Sequence, residues 1–169
     1  MRGSRAEATD IAMKRTLISA LASVFIASGV TLADPMEVTP LVIASSDAEH
    51  AFTVEIANDR DEIAFGLMER ESMDADAGML FDFDPPREPA MYMKNTLLSL
   101  DMLFIADDGL IEMIARNTVP GSLRTISPGV PVRAVLELNA GRAAELGIQP
   151  GDTVRHPIFN NFEADAPAE

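Results

Sequence analysis

The sequence predicts an α+β protein that is mainly β: a compact, curled, barrel-like sheet with two short helices. Three observations lead to this fold class. Short apolar segments typical of strands dominate, only two short segments have helical signals, and no βαβ rhythm or internal repeat appears. Residues 34–160 have a length that suits one domain.

The first half of that domain is predicted to contain three strands and one helix. Residues 40–44 and 51–57 are the first two strands, and the second alternates apolar and polar side chains. A helix begins after Asp59, and Glu62 three residues later completes a capping box. Gly66 lies inside the helical pattern, where we expect it to let another backbone approach closely.

The third strand is residues 78–83, which Asp84-Pro85-Pro86 is expected to end. A short strand at 90–94 should follow. Residues 100–106 and 110–116 flank an Asp-Gly turn and predict an antiparallel hairpin. The first of these two runs is apolar on both faces apart from Asp101, which is typical of a central strand.

The rest of the domain begins with a long loop at 117–131, rich in Pro, Gly and Ser. A strand at 133–138, a short helix at 140–146 with Gly147 as its C-terminal cap, and a last strand at 153–156 should follow. Residues 161–169 contain only Asn, Phe, Ala, Pro and acidic residues, and we expect a disordered acidic tail.

The N-terminus predicts export. A cationic start at Met13, an apolar run at 17–30 and the small residues Thr31 and Ala33 form the three parts of a secretory signal peptide. The run is short for a membrane anchor and contains three serines, so we expect cleavage after Ala33 rather than stable membrane insertion. Residues 1–12 precede the signal as an extension. The mature protein is therefore predicted to be periplasmic or secreted.

Charge narrows the range of partners. Residues 34–169 contain nine Lys and Arg residues against 25 Asp and Glu residues, a net charge of −16. Such a surface repels phosphate backbones and anionic lipids, which argues against nucleic acid and membrane surfaces as partners.

The chain has no Cys, so neither disulfides nor thiol chemistry contribute. Nothing in the sequence indicates a cofactor or identifies a protein partner.

Several short blocks occur in the order and spacing of a known family. They are Gly66-Leu67-Met68-x-Arg70, Gly78-Met79-Leu80-Phe81, Met93-Lys94-Asn95-Thr96, Leu100-Asp101, Val135-Leu136-Glu137 and Gly147-Ile148-x-x-Gly151-Asp152-x-Val154. In these blocks the chain resembles the DUF192 family. The resemblance implies a small, often exported, β-rich domain without an agreed activity.

The strongest candidate site centres on Lys94, the only Lys after the signal segment. A compact cation, with donors and acceptors beside it, suits a small anionic or hydroxylated ligand such as a glycan. The residues predicted to line this pocket are Lys94, Asp101, Arg70, Tyr92, Asn95 and Thr96. The alternative is structural: Lys94 pairs with Asp101, while Asn95 and Thr96 satisfy turn backbone.

Three other chemistries have candidate residues in the sequence. No nucleophile, zinc or phosphate-loop motif is present, so a non-enzymatic domain is favoured over a hydrolase of envelope polymers. Such a hydrolase would need paired carboxylates such as Asp101 and Glu137. A copper site would use Met91 and Met93 with His50 or His156. The acidic stretch Asp74-x-Asp76-x-Gly78 begins like a calcium loop but lacks its later ligands, so we predict a solvated acidic face and no metal.

Overall fold

The computed structural model describes residues 35–162, and its strands form one sheet. The described elements, in chain order, are β1 (Val38–Ala44), β2 (Glu49–Ala57), α1 (Arg60–Phe65), β3 (Ala77–Arg87), β4 (Leu100–Ile105), β5 (Ile111–Ala115), β6 (Val132–Asn139), α2 (Arg142–Glu145), β7 (Thr153–Arg155) and a 3-10 helix (Pro157–Phe159). The predicted signal segment 13–33, the extension 1–12 and most of the predicted tail lie outside the described residues.

The sheet has the order β5-β4-β6-β3-β2-β1-β7. Its pairs are antiparallel except for β2 and β3, which are parallel. The sheet curls until its two edges meet: Leu110 and Thr153 form a bridge, and the amide of Val154 donates to the carbonyl of Gly109 over 2.7 Å. The predicted mainly-β, barrel-like class is therefore confirmed.

Two apolar clusters cover the two faces of the sheet. The inner cluster takes side chains from all seven strands, and the outer cluster from β2, β3, β4 and β6 together with loop residues such as Leu67 and Met93. Successive side chains of a strand point to opposite faces. β4 is consequently buried along its whole length, as its run of residues apolar on both faces apart from Asp101 predicted.

Several local predictions are confirmed. Residues 100–105 and 111–115 pair as the antiparallel hairpin. The Asp59 carboxylate accepts from the amides of Asp61 and Glu62 at 2.8 Å each, and the Glu62 carboxylate accepts from the Asp59 amide at 3.3 Å, which is the capping box. Separately from these predictions, none of the helices within residues 35–162 is long and apolar enough to cross a membrane.

Three local predictions were wrong. Residues 90–94 form no strand, because their backbone pairs with the long loop: Met91 bridges Ile126, and the Met93 amide donates to Ser122. β3 does not end at its two prolines but continues to Arg87, with its register against β6 shifted between Asp82 and Arg87. Prolines are tolerated at such irregularities because no regular ladder hydrogen bond is lost there.

Gly66 is the third correction. Its φ is +52°, and a Cβ there would lie 2.9 Å from the ring of Phe81. The close neighbour is therefore an aromatic side chain rather than a second backbone. The glycine lets this ring fill the space directly beneath the end of α1.

Candidate functional site

A cavity of about 300 Å³ opens between α1, the second half of β3 and the segment that follows β3. Its lining is mostly apolar, and four of the side chains are aromatic: Phe65, Phe81, Phe83 and Tyr92. The other polar or charged side chains are Arg87, Glu88, Thr96 and Glu137. A concave apolar surface with a few convergent polar groups is the usual form of a small-molecule site.

Glu137 lies on β6 at the floor of this cavity and is 4% exposed. Its neighbours across the sheet are Met79 on β3 and Met102 on β4, so apolar sulfur side chains flank it on both sides. Within residues 35–162 no hydrogen bond or ion pair reaches its carboxylate, and burial raises its pKa to about 8. At neutral pH the carboxyl group of Glu137 is thus largely protonated.

The Met93-Lys94-Asn95-Thr96 block is a tight turn beside the cavity. The amide of Thr96 donates to the carbonyl of Met93 over 3.1 Å, and Asn95 has a φ of +54°. A positive φ at the third turn position is what a type II turn requires, and Asn tolerates it better than most residues. The turn buries Thr96 against the cavity and leaves Lys94 exposed.

Lys94 borders a second, shallower depression on the outer side of the same turn. This depression is about 580 Å³ and includes Asn95, Thr96, Leu97 and Leu123. In the part of the chain that the structure describes, Lys94 forms no ion pair. Thr96 lines both the depression and the cavity.

The six predicted site residues are divided among different places. Tyr92 and Thr96 line the cavity, and Lys94, Asn95 and Thr96 line the depression. Arg70 instead forms a two-pronged ion pair with Glu55 on β2 and lines neither concavity. This pairing raises the pKa of the Arg70 guanidinium through its hydrogen bonds to the carboxylate.

Asp101 lies apart from both concavities. It is fully buried, and its carboxylate accepts from the amides of Asn117 at 2.9 Å and Ala143 at 3.1 Å. It faces Leu138 across the sheet, whereas Glu137 faces Met102, so the two acids point to opposite faces. Neither the structural ion pair with Lys94 nor the carboxylate pair imagined for a hydrolase is formed.

The residues suggested for a copper site do not come together in the structure either. Met93 is buried in the outer cluster, while Met91 lines the cavity, and neither His lines it. Both ring nitrogens of His156 are engaged, one with the Thr39 hydroxyl at 2.8 Å and the other with the Ile158 amide at 3.4 Å. Among residues 35–162 no three His, Cys, Asp or Glu side chains converge as a metal site.

The sequence indicated Glu137 only as half of a carboxylate pair. The signal that could have singled it out is its position between Leu136 and Leu138 in an otherwise apolar strand. An acid at such a position faces either a partner or a cavity, because burial without either is costly.

Comparison with known proteins agrees with the fold. The profile of the DUF192 family, described as an uncharacterised ACR, matches residues 41–156, so the chain belongs to that family. A protein of Sinorhizobium meliloti 1021, provisionally described as a transcription regulator, is 44% identical with a TM-score of 0.72. The similarity covers 73% of this chain and 97% of that one.

A second crystal structure, of a protein of unknown function from Novosphingobium aromaticivorans DSM 12444, is 36% identical with a TM-score of 0.70. Here 72% of this chain and 86% of the other are covered. No curated protein matches the chain. The comparisons establish the family and the fold and leave the activity to be argued from the site.

Proposed function

We propose that this protein is a non-enzymatic binding domain that holds a small ligand in the cavity above Glu137. One observation carries the proposal: a buried carboxyl group that has no partner among residues 35–162 faces an open, mostly apolar cavity. Buried polar groups in native proteins are nearly always hydrogen-bonded, so a group left without a partner calls for a reason. A ligand that supplies the missing partner is such a reason.

The Lys94 depression is a second candidate site, for an anionic or hydroxylated ligand such as a glycan. It is supported by an exposed cation without an ion-pair partner among the described residues, on an otherwise acidic chain. The cavity is favoured as the main site because it is more enclosed, has an aromatic lining and contains the buried acid. The S. meliloti relative is described as a regulator of transcription. For this chain we propose ligand sensing without contact to DNA, because its net charge is strongly negative and DNA is an anion.

The proposal also places the mature domain outside the cytoplasm, in the periplasm or secreted. Its support is the cationic start, apolar run and small residues of the segment 13–33. The intact mass of the protein recovered from the exported fraction tests it: the chain should begin at Asp34. A mass that retains the apolar run, in the membrane fraction, would contradict export with cleavage.

Thermal-shift screening of the purified protein against a chemically mixed small-molecule library tests the binding site. Ligands of the native state raise the melting temperature. The blocking variant Ala64→Trp places a large ring at the exposed cavity lining and should abolish the shifts. The matched control Ala144→Trp, on the exposed side of α2, should leave them unchanged.

Two results would refute the cavity as the site. One is a set of hits whose shifts persist in Ala64→Trp, which would move binding elsewhere. Persistence there combined with loss in Lys94→Met would favour the second candidate. The second refuting result is a screen in which no compound of the library, neutral or charged, raises the melting temperature.

A further inference from the structure

We infer that the cavity selects organic ammonium ions: small cations whose charged nitrogen carries apolar substituents. This inference rests on the proposed binding function and names the ligand class of the same site. It follows from three observations. Two are properties of the cavity, namely its aromatic rings and the placement of its acid, and the third is the net charge of the whole domain.

The aromatic lining is the first property. The chain contains nine aromatic residues, and four of them line this one cavity. The faces of aromatic rings attract cations, and cages of such rings are a common way to bind substituted ammonium groups. One of the four already holds a cation: the Arg87 guanidinium lies 4.5 Å from the centre of the Phe83 ring. Phe65, Phe81 and Tyr92 remain for a ligand.

The second property is the counter-charge. Glu137 supplies a carboxylate at the floor, with Met79 and Met102 beside it on the neighbouring strands. The charged groups that line the cavity besides Glu137 are Arg87 and Glu88, one positive and one negative, and the Glu88 carboxylate accepts from the Ser127 hydroxyl at 2.9 Å. Further along the same row of the sheet stands Glu55, which Arg70 already neutralises. A cationic ligand would therefore be the partner that Glu137 lacks within the described part of the chain.

The third property is the field of the domain. With a net charge of −16 over residues 34–169, it attracts cations from solution and repels anions. A ligand carboxylate or phosphate would be repelled by this field and, after entry, by the negative charge of the ionised acid at the floor of the cavity. A neutral ligand would fill the apolar space without using the acid's charge. Only a cation is favoured by the rings, the acid and the field together.

Three probes of nearly the same shape separate these classes: choline, its neutral isostere 3,3-dimethylbutan-1-ol and the anion 3,3-dimethylbutanoate. Binding to the purified protein is measured by calorimetry at pH 8.5. We expect choline to bind at least about tenfold more tightly than the alcohol, and the anion not to bind. If the alcohol binds as tightly as choline, the inference of a cation site is wrong, although the proposed binding function survives.

Variants assign the preference to named groups. Glu137→Gln should abolish the preference for choline over the alcohol, whereas Glu112→Gln removes an exposed acid on β5 and should change neither affinity more than twofold. Phe65→Leu, at a side chain that is 54% exposed, should weaken choline severalfold and spare the alcohol. A choline preference that survives Glu137→Gln would overturn the inference.

The pH dependence gives an independent check. Because burial raises the pKa of Glu137 to about 8, a cation that binds below that pH must displace a proton. Choline affinity should therefore fall by up to tenfold per pH unit between about pH 8 and 6, and this slope should vanish in Glu137→Gln. Failure of all three probes, with hits of another class in the library screen, would refute the ammonium class and leave the proposed function standing.

Discussion

Asp101 and Glu137 are two buried acids on neighbouring strands of one sheet, and they differ in nearly everything except their burial. Asp101 points to the inner face, where two backbone amides donate to it, one of them from Ala143 in the first turn of α2. Glu137 points to the outer face, where no described group donates to it and a cavity opens instead. Burial alone therefore does not identify a functional acid; the partners of the carboxylate do.

The largest expected effect tests the structural half of this comparison. Asp101→Ala should lower the free energy of unfolding by about 3–5 kcal/mol, because the amides of Asn117 and Ala143 lose a charged acceptor. Urea unfolding at pH 7 measures the loss. Glu112→Ala, an exposed acid, should stay within about 0.5 kcal/mol. A loss below about 1 kcal/mol for Asp101→Ala would mean that its hydrogen bonds are not needed for the fold.

The second prediction concerns the other acid and has the opposite sign. Glu137→Gln should raise the free energy of unfolding by about 2–4 kcal/mol at pH 8 and change it little at pH 4.5. The folded-state pKa, about 8, lies above the unfolded value of 4.5, so the native protein binds the proton more tightly. The resulting stability is present below pH 4.5 and is lost as the pH rises towards 8.

Urea unfolding of both proteins across pH 4.5–8.5 checks this linkage. The wild-type protein should become less stable relative to Glu137→Gln as the pH rises, with Glu112→Gln following the wild type. A constant difference across this range would show that Glu137 does not carry a raised pKa, and the comparison with Asp101 would lose its basis.

The smallest effect is expected at Lys94. Its side chain is exposed and has no ion-pair partner among the described residues, so Lys94→Met should change the free energy of unfolding by less than about 1 kcal/mol. Urea unfolding of Lys94→Met and of the wild-type protein under the same conditions measures this difference. A loss near that of Asp101→Ala would reveal a structural role for the cation and remove it from the candidate sites.

The fold was largely predictable because its signals are local. Asp59 and Glu62 predicted the start of α1, and the Asp-Gly turn predicted the β4–β5 hairpin. The prediction of a strand at 90–94 was wrong, although the apolar residues of this segment alternate as they do in a strand. What decides its structure is the distant loop around Ile126, which offers hydrogen bonds that a local pattern cannot reveal.

The site was less predictable because it depends on which face of the sheet a side chain joins. Asp101 and Lys94 are close in sequence, yet one lies inside the sheet and the other on a turn at the surface. Conversely, Glu137 and Phe65 are far apart in sequence and line the same cavity. Only the register of β6 against β3 and β4 places the acid beneath α1.

The meeting of the two sheet edges at Gly109 has a consequence for solubility. Sheet edges that remain unpaired can recruit strands from other copies of a protein and lead to aggregation. Here β5 and β7 cover each other through the Leu110–Thr153 bridge, and the chain has no cysteine to lock that seam. Gly109 has a φ of +90°, and a Cβ there would lie 2.4 Å from the Val154 carbonyl oxygen. The hairpin glycine thus also permits the pairing through which each sheet edge covers the other.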